Sequence, residues 1–188
     1  MIKDNEFIKS KNVPGPTKEE IRALIIAKSE ASKKDVVMDI GCGTGGISCE
    51  IAKIAKKVIA IDKNPEAIEI TGKNLKKFNL QDKVELIEDE AVAGLKSIHT
   101  INLAIIGGSN NQMNEIIDLI DEKLVYNGKI IVTAILIETK VQALNKLKNL
   151  GYNTEIIEVN ISKGRFIRNK TMMLAQNPIA IITAIKLD

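Results

Sequence analysis

The chain has 188 residues, 45% apolar and 27% charged, which is enough to build one α/β domain around a full core and excludes a disordered or fibrous polymer. A net charge of +3, from 27 Lys+Arg against 24 Asp+Glu, is too small to call for a polyanionic partner, and 3% aromatics with no Trp argues against a base-stacking surface. No apolar stretch approaches the roughly 20 residues of a membrane span, so neither nucleic acid nor membrane is expected as a partner.

Mixed charges over Met1 to Glu6, with no apolar segment after them, give no export signal and predict a cytoplasmic location. Val13-Pro14-Gly15-Pro16 cannot be helical. Thr17-Lys18-Glu19-Glu20 has the form of a capping box and predicts a helix starting at Thr17 and running to about Ser29 on Ile21, Leu24 and Ile25. The β-branched run Val36 to Ile40 is expected as a buried strand that stops at Gly41, followed by a helix from about Gly45 to Ala55. A strand Val58 to Ile61 ends in Asp62, and Asn64-Pro65 opens a helix to about Phe78, with Asn64 as cap and Pro65 in the first turn. Further strands are expected at Val84 to Ile87 and Ile101 to Ile106, then a helix from Met113 to Leu124, a turn at Tyr126-Asn127-Gly128, and a strand from Lys129. A helix from about Glu138 to Leu150 and two strands, Glu155 to Val159 and Ile179 to Lys186, complete seven strands. Strands alternating with helices imply right-handed crossovers and a mostly parallel, doubly wound sheet; the last two strands, with no helix between them, are expected to be antiparallel. No repeat or long linker divides the chain, and one domain over 1–188 is expected.

In such sheets ligands sit beyond the carboxyl ends of the strands. There, Asp39-Ile40-Gly41-Cys42-Gly43-Thr44-Gly45-Gly46 offers bare backbone for close approach, and Asp62 follows 21 positions after Gly41, where a carboxylate can accept from both ribose hydroxyls of a nucleoside. Gly41, Gly43 and Gly46 fit the dinucleotide fingerprint, whereas Gly41, Gly43 and Gly45 fit the loop of S-adenosylmethionine (SAM) methyltransferases. Asp39, the acidic Asp89-Glu90 and the two closing strands favour SAM over NAD. Cys42 and Cys49, seven positions apart, are too distant along a helix for a disulfide, and with one His they are too few for a metal site. His99 is expected to be solvated, and Met172-Met173 to be packed in apolar surroundings. Lys163, Arg165, Arg168 and Lys170 put four positive charges on a glycine-containing connection between the last two strands.

Several stretches are more specific than the glycine loop. Val13 to Arg22 is similar to a Pro-x-Thr-Lys-x-Glu-x-Arg segment, Ile106-Gly107-Gly108-Ser109 to an Ile-Gly-Gly-Ser element, and Ser162-Lys163-Gly164-Arg165 and Asn177-Pro178 to C-terminal Ser-Arg-Gly-Arg and Asn-Pro elements. Through them nearly the whole chain resembles the decarboxylating cobalt-precorrin-6B C(15)-methyltransferases of corrin biosynthesis. The resemblance implies the class I SAM-dependent methyltransferase fold, Rossmann-like, with seven strands, the last antiparallel. It implies SAM as cofactor, contacted by Thr17, by Gly41, Cys42, Gly43, Thr44 and Gly45, by Asp62, and by Glu90 and Ala91. It also implies a cobalt-tetrapyrrole substrate methylated at C(15) with loss of the ring C acetate; the carboxylates of such a substrate suit the charges of Arg165 and Arg168, and Gly107, Gly108, Ser109 and neighbouring Asn110 and Asn111 offer it bare backbone and polar donors. Cobalt enters with the substrate, and a homotetramer is implied. Two departures stand out: Asp89-Glu90-Ala91 where the family often has Gly-Asp-Ala, and Lys163 for Arg, which loses a bidentate fork. No residue is assigned to decarboxylation. An RNA methyltransferase, a protein carboxyl methyltransferase and an NAD-sensing domain are the other readings of the same residues.

Overall fold

The computed structural model describes residues 1–109 and 111–187. In chain order the elements are α1 (Glu19–Ser29), β1 (Val36–Ile40), α2 (Gly46–Ala52), β2 (Lys57–Asp62), α3 (Pro65–Lys77), β3 (Val84–Glu88) and α4 (Ala91–Lys96). There follow β4 (Ile101–Ile106), α5 (Met113–Lys123), β5 (Leu124–Ala134), α6 (Ile137–Asn149), β6 (Asn153–Val159), β7 (Ser162–Ile167), β8 (Lys170–Ala175) and β9 (Ile179–Ile185). Seven strands form one sheet in the order β3-β2-β1-β4-β5-β9-β6. All of its pairings are parallel except those of β9, which is antiparallel to both β5 and β6.

Alternation along the central strands sorts the core onto two faces. Met38 and Ile40 of β1 and Ile59 and Ile61 of β2 pack with Leu95 of α4, Ile116 and Ile120 of α5 and Leu147 of α6. Val37 and Val58 point the other way, onto Ile21 and Ile25 of α1, Ile47 and Ile51 of α2 and Leu75 of α3. The strand order reverses between β1 and β4, so the helices that follow these two strands, α2 and α5, lie on opposite faces of the sheet and the cleft at the strands' carboxyl ends holds the candidate site.

The segment before α1 is tied down by a fully buried arginine. Arg22 donates to Asp4 Oδ1 at 2.8 Å, to the carbonyls of Thr17 and Ile2, and lies 4.9 Å from the centre of the Phe7 ring. This pull on the Thr17 peptide overturns the expected cap: α1 starts at Glu19, Lys18 occupies the N-cap position, and no side chain caps it. Glu20 instead pairs with Lys163 at 2.7 Å. The cap expected at Asn64 forms, its side chain accepting from Glu66 N at 3.0 Å with Pro65 in the first turn.

Three further elements differ from expectation. α4 has only six residues, too short for a periodic signal. β5 begins at Leu124 and passes through the Tyr126–Gly128 stretch as an irregularity, with Asn127 at φ 60° and a register shift against β4. Residues 163–170 are no loop: β7 and β8 pair as an antiparallel hairpin turning at Arg168, whose φ is 53°. All of its strand residues are exposed, Phe166 by 81% and Met173 by 63%, so Met172 and Met173 are not packed in apolar surroundings within the chain.

Candidate active site

Between β1 and α2 the backbone turns through Gly41, Gly43 and Gly45, all in the left-handed region. Gly41 N and Cys42 N bond back to Ile61 O, and a Cβ on Gly41 would lie 3.0 Å from the Gly108 backbone, so the loop after β1 and the loop after β4 touch through glycine alone. A Cβ on Gly45 would lie 2.8 Å from Thr71 Cγ2, whereas Gly43 has open space on that side. From α3, Thr71 Oγ1 donates to Gly43 O at 2.8 Å and buried Asn74 donates to Thr44 O at 2.9 Å.

Asp62, at the end of β2, accepts from Gly43 N through Oδ2 at 2.9 Å and from Asn64 N through Oδ1 at 3.0 Å. Each carboxylate oxygen keeps a lone pair for a ligand hydroxyl. Behind the loop, Asp39 is buried and accepts from Ser48 Oγ; burial pushes its carboxyl up to about 6, against the opposing hydrogen bond from Ser48. Burial pushes the Cys42 thiol far above its ordinary value, so it stays protonated and unreactive at neutral pH. The third acidic corner is Asp89-Glu90, where Glu90 pairs with Lys63 at 3.3 Å.

These groups enclose a cavity of about 420 Å3, within the roughly 300–1,000 Å3 common for small-molecule sites. Thr17, Gly41 through Thr44, Asp62, Glu90 and Ala91 line it, while Gly45 lies just behind the lining as the N-cap of α2. Two buried oxygens here, Thr44 Oγ1 and Gln112 Oε1, have no hydrogen-bond partner among the described residues, and a buried polar atom without one is costly. They suit a ligand that brings donors. Four of the five charged side chains around this cavity are acidic: Asp39, Asp62, Asp89 and Glu90, with Lys63 the exception.

A second cavity, of about 750 Å3, adjoins the first across a shared wall that includes Pro16, Thr17, Gly108, Ser109 and Thr133. Gly107, Gly108 and Ser109 thus face both spaces, as does the segment Pro14 to Thr17. Arg165 and Arg168, on the exposed β7–β8 hairpin, line neither cavity. Asn111 lines the second cavity, and Asn110 lies outside the described residues. His99 is exposed. Residues that the sequence did not point to are Gln112 at the N-cap of α5, Thr133 near the end of β5, and Thr139 and Gln176 around the second cavity, while Lys18, part of the Pro-x-Thr-Lys segment, had no role assigned and lines the second cavity. Thr133 sits near the carboxyl end of β5, and Gln112 in the connection that follows β4, the one available signal. No group of three or more potential metal ligands occurs among the described residues, and none of their helices is long and apolar enough to cross a membrane.

Residues 14–186 match the family described as precorrin methyltransferase domain. A probable cobalt-precorrin-6B C(15)-methyltransferase (decarboxylating) of Methanobrevibacter smithii is 55% identical over 186 residues, covering 99% of this chain and 100% of that protein. The crystal structure of a precorrin 8W decarboxylase from Methanobacterium thermoautotrophicum superposes with a TM-score of 0.95 at 47% identity, covering 98% of this chain and 99% of that one. At the level of fold alone, a SAM-dependent O-methyltransferase of Thermotoga maritima gives a TM-score of 0.77 at 18% identity, covering 92% of this chain and 66% of that one.

Proposed function

The chain belongs to the precorrin methyltransferase family, and from that premise we propose that it methylates C(15) of cobalt-precorrin-6B with SAM and releases the ring C acetate as carbon dioxide, giving cobalt-precorrin-7. The observation that carries this reading is the pair of adjoining cavities with opposite character: a small acidic one closed by the glycine loop, and a larger one beside it. The acidic cavity suits SAM, whose sulfonium and ammonium outweigh its carboxylate. Bound there, SAM supplies an electrophilic methyl group.

In this proposal the carboxylate of Asp62 accepts the ribose hydroxyls, held in place by the amides of Gly43 and Asn64. Ala91 and Glu90 border the adenine, with Lys63 holding the Glu90 carboxylate. Gly41 through Gly45 offer bare backbone, and Thr17 closes the cavity on the side it shares with its neighbour. Thr44 and Gln112 supply acceptors that are unpaired among the described residues.

The residues common to both cavities include no side chain that ionises near neutral pH. The protein's part is therefore positioning and exclusion of water, holding the nucleophilic carbon in line for attack. An electron-rich conjugated ring needs no strong base to act as nucleophile. When the acetate loses carbon dioxide, the electron pair of the broken C–C bond enters the macrocycle, and the remaining carbon takes up a proton to become a methyl group.

We further propose that the chain works in the cytoplasm as a homotetramer. Phe166, Ile167, Met172, Met173 and Leu174 are exposed on the β7–β8 hairpin, a concentration of apolar surface that a second copy would cover. In such an assembly Arg165 and Arg168 can approach the cleft of a neighbouring copy and meet substrate carboxylates there.

The test is the mass of the tetrapyrrole after anaerobic incubation with the protein, SAM and cobalt-precorrin-6B. Gain of one methyl group with loss of carbon dioxide is expected. An unchanged mass with S-adenosylhomocysteine binding intact would refute the substrate assignment.

A further inference from the structure

The second cavity carries a charge arrangement that points to one residue. Among the described residues whose side chains line it, Lys18 alone is charged. The carboxylates nearest to it in the chain are already engaged: Glu19 with Lys3 at 2.6 Å and Glu20 with Lys163 at 2.7 Å. Lys18 is exposed, and among the described residues its ammonium takes part in no ion pair.

Its backbone is fixed. Lys18 is the N-cap of α1, and the peptide before it is held by buried Arg22, which donates to Thr17 O. Val13, at the other end of the segment, packs on Ala67 and Ile70 of α3. Pro14 and Pro16 restrict the chain between these anchors. The ammonium therefore swings from a rigid point on the rim.

Lining the same cavity, Ile135 and Leu136 in the β5–α6 connection are 53% and 63% exposed. Two consecutive apolar side chains open to water at a cavity lip call for an occupant with an apolar face. A flat conjugated macrocycle edged with carboxylates meets both conditions, laying its face on Ile135 and Leu136 and offering an anionic edge to Lys18. The acidic first cavity repels that edge and sets its direction.

Resting on the function proposed above, we infer that Lys18 is the carboxylate anchor and a specificity-determining residue for the tetrapyrrole. It orients the macrocycle so that the reacting carbon faces the wall at Gly107 and Gly108. The anchor serves a carboxylate that is retained, because pairing with the departing one would stabilise it against loss.

Lys18→Met is the variant to measure, beside Lys18→Arg, by steady-state kinetics with cobalt-precorrin-6B and by calorimetric titration with S-adenosylhomocysteine. A charge-assisted contact of this kind predicts a KM for the tetrapyrrole raised roughly 10-fold in Lys18→Met. Lys18→Arg should recover most of that loss, and S-adenosylhomocysteine affinity should stay unchanged in both. Added salt should raise the wild-type KM more than that of Lys18→Met. A Lys18→Met KM within about twofold of wild type, with wild type turning over normally, would overturn the anchor and leave the proposed function standing. Failure of the wild-type protein itself to convert the tetrapyrrole would overturn both.

Discussion

Asp62 holds two backbone amides at once, one on each side of the candidate site, and in the proposed function it also receives two ligand hydroxyls. Removing it should therefore act on binding more than on the core. Asp62→Ala is expected to weaken S-adenosylhomocysteine binding by roughly 10- to 100-fold, since hydrogen bonds to a charged group are worth about 1.5–3 kcal/mol; isothermal titration calorimetry would show it. An unchanged affinity would take Asp62 out of the site. Asp39 makes a different prediction. Its carboxyl lies at about 6 in the folded protein against an ordinary 3.8, because it is buried. Between those values the native state keeps a proton that the unfolded chain has released, so stability falls as pH rises through this window and the loss is complete above it. A shift of this size corresponds to roughly 3 kcal/mol. Asp39→Asn keeps an acceptor for Ser48 and carries no charge. Denaturant midpoints of the ligand-free variant should be flatter between about pH 4 and 7 than those of wild type, and higher at the neutral end.

At the scale of elements, the contact between the glycine loop and α3 gives a two-step test. Gly45→Ala places a Cβ 2.8 Å from Thr71 Cγ2 in a left-handed backbone, so it meets both a clash and a conformational cost. Thr71→Ser removes the offending methyl while keeping the hydroxyl that bonds Gly43 O. The single variant should lower the thermal midpoint clearly. Adding Thr71→Ser should restore part of it, leaving about 1–2 kcal/mol for the backbone. Equal midpoints for the single and double variants would mean that the loop relaxes by another route. The alternating elements around this loop could be read from β-branched runs and from Asn64-Pro65, because both leave their mark in neighbouring residues. Thr17 could not be read correctly as a cap: what moves the start of α1 is Arg22 gripping a carbonyl, a long side chain acting on the backbone five residues earlier. The hairpin was hidden for the opposite reason. Its residues are exposed on both faces, so no alternation of polar and apolar side chains announces β7 and β8. The glycine loop and Asp62 were legible because their spacing is local, whereas Gln112 and Thr133 join the site only through folding of distant segments.

For the whole molecule, the exposed hairpin makes assembly a measurable consequence of the proposed function. Phe166→Ser together with Met173→Ser removes two of its largest exposed apolar side chains without touching either cavity. Light scattering is expected to show a tetramer for wild type and smaller species for the double variant, with S-adenosylhomocysteine affinity retained. A wild-type monomer would remove the assembly proposal and, with it, the route by which Arg165 and Arg168 reach a cleft. The order of strands carries one more consequence. β9 lies between β5 and β6, so two strands that precede it in the chain must wait for it before either finds its neighbour on that side. During synthesis on the ribosome, β1 to β5 can pair as they emerge, while β6 stays without a place in the sheet until residues 179–185 clear the exit tunnel. Until then the nascent protein presents an open, apolar β5 edge, and this interval is when it depends most on chaperones.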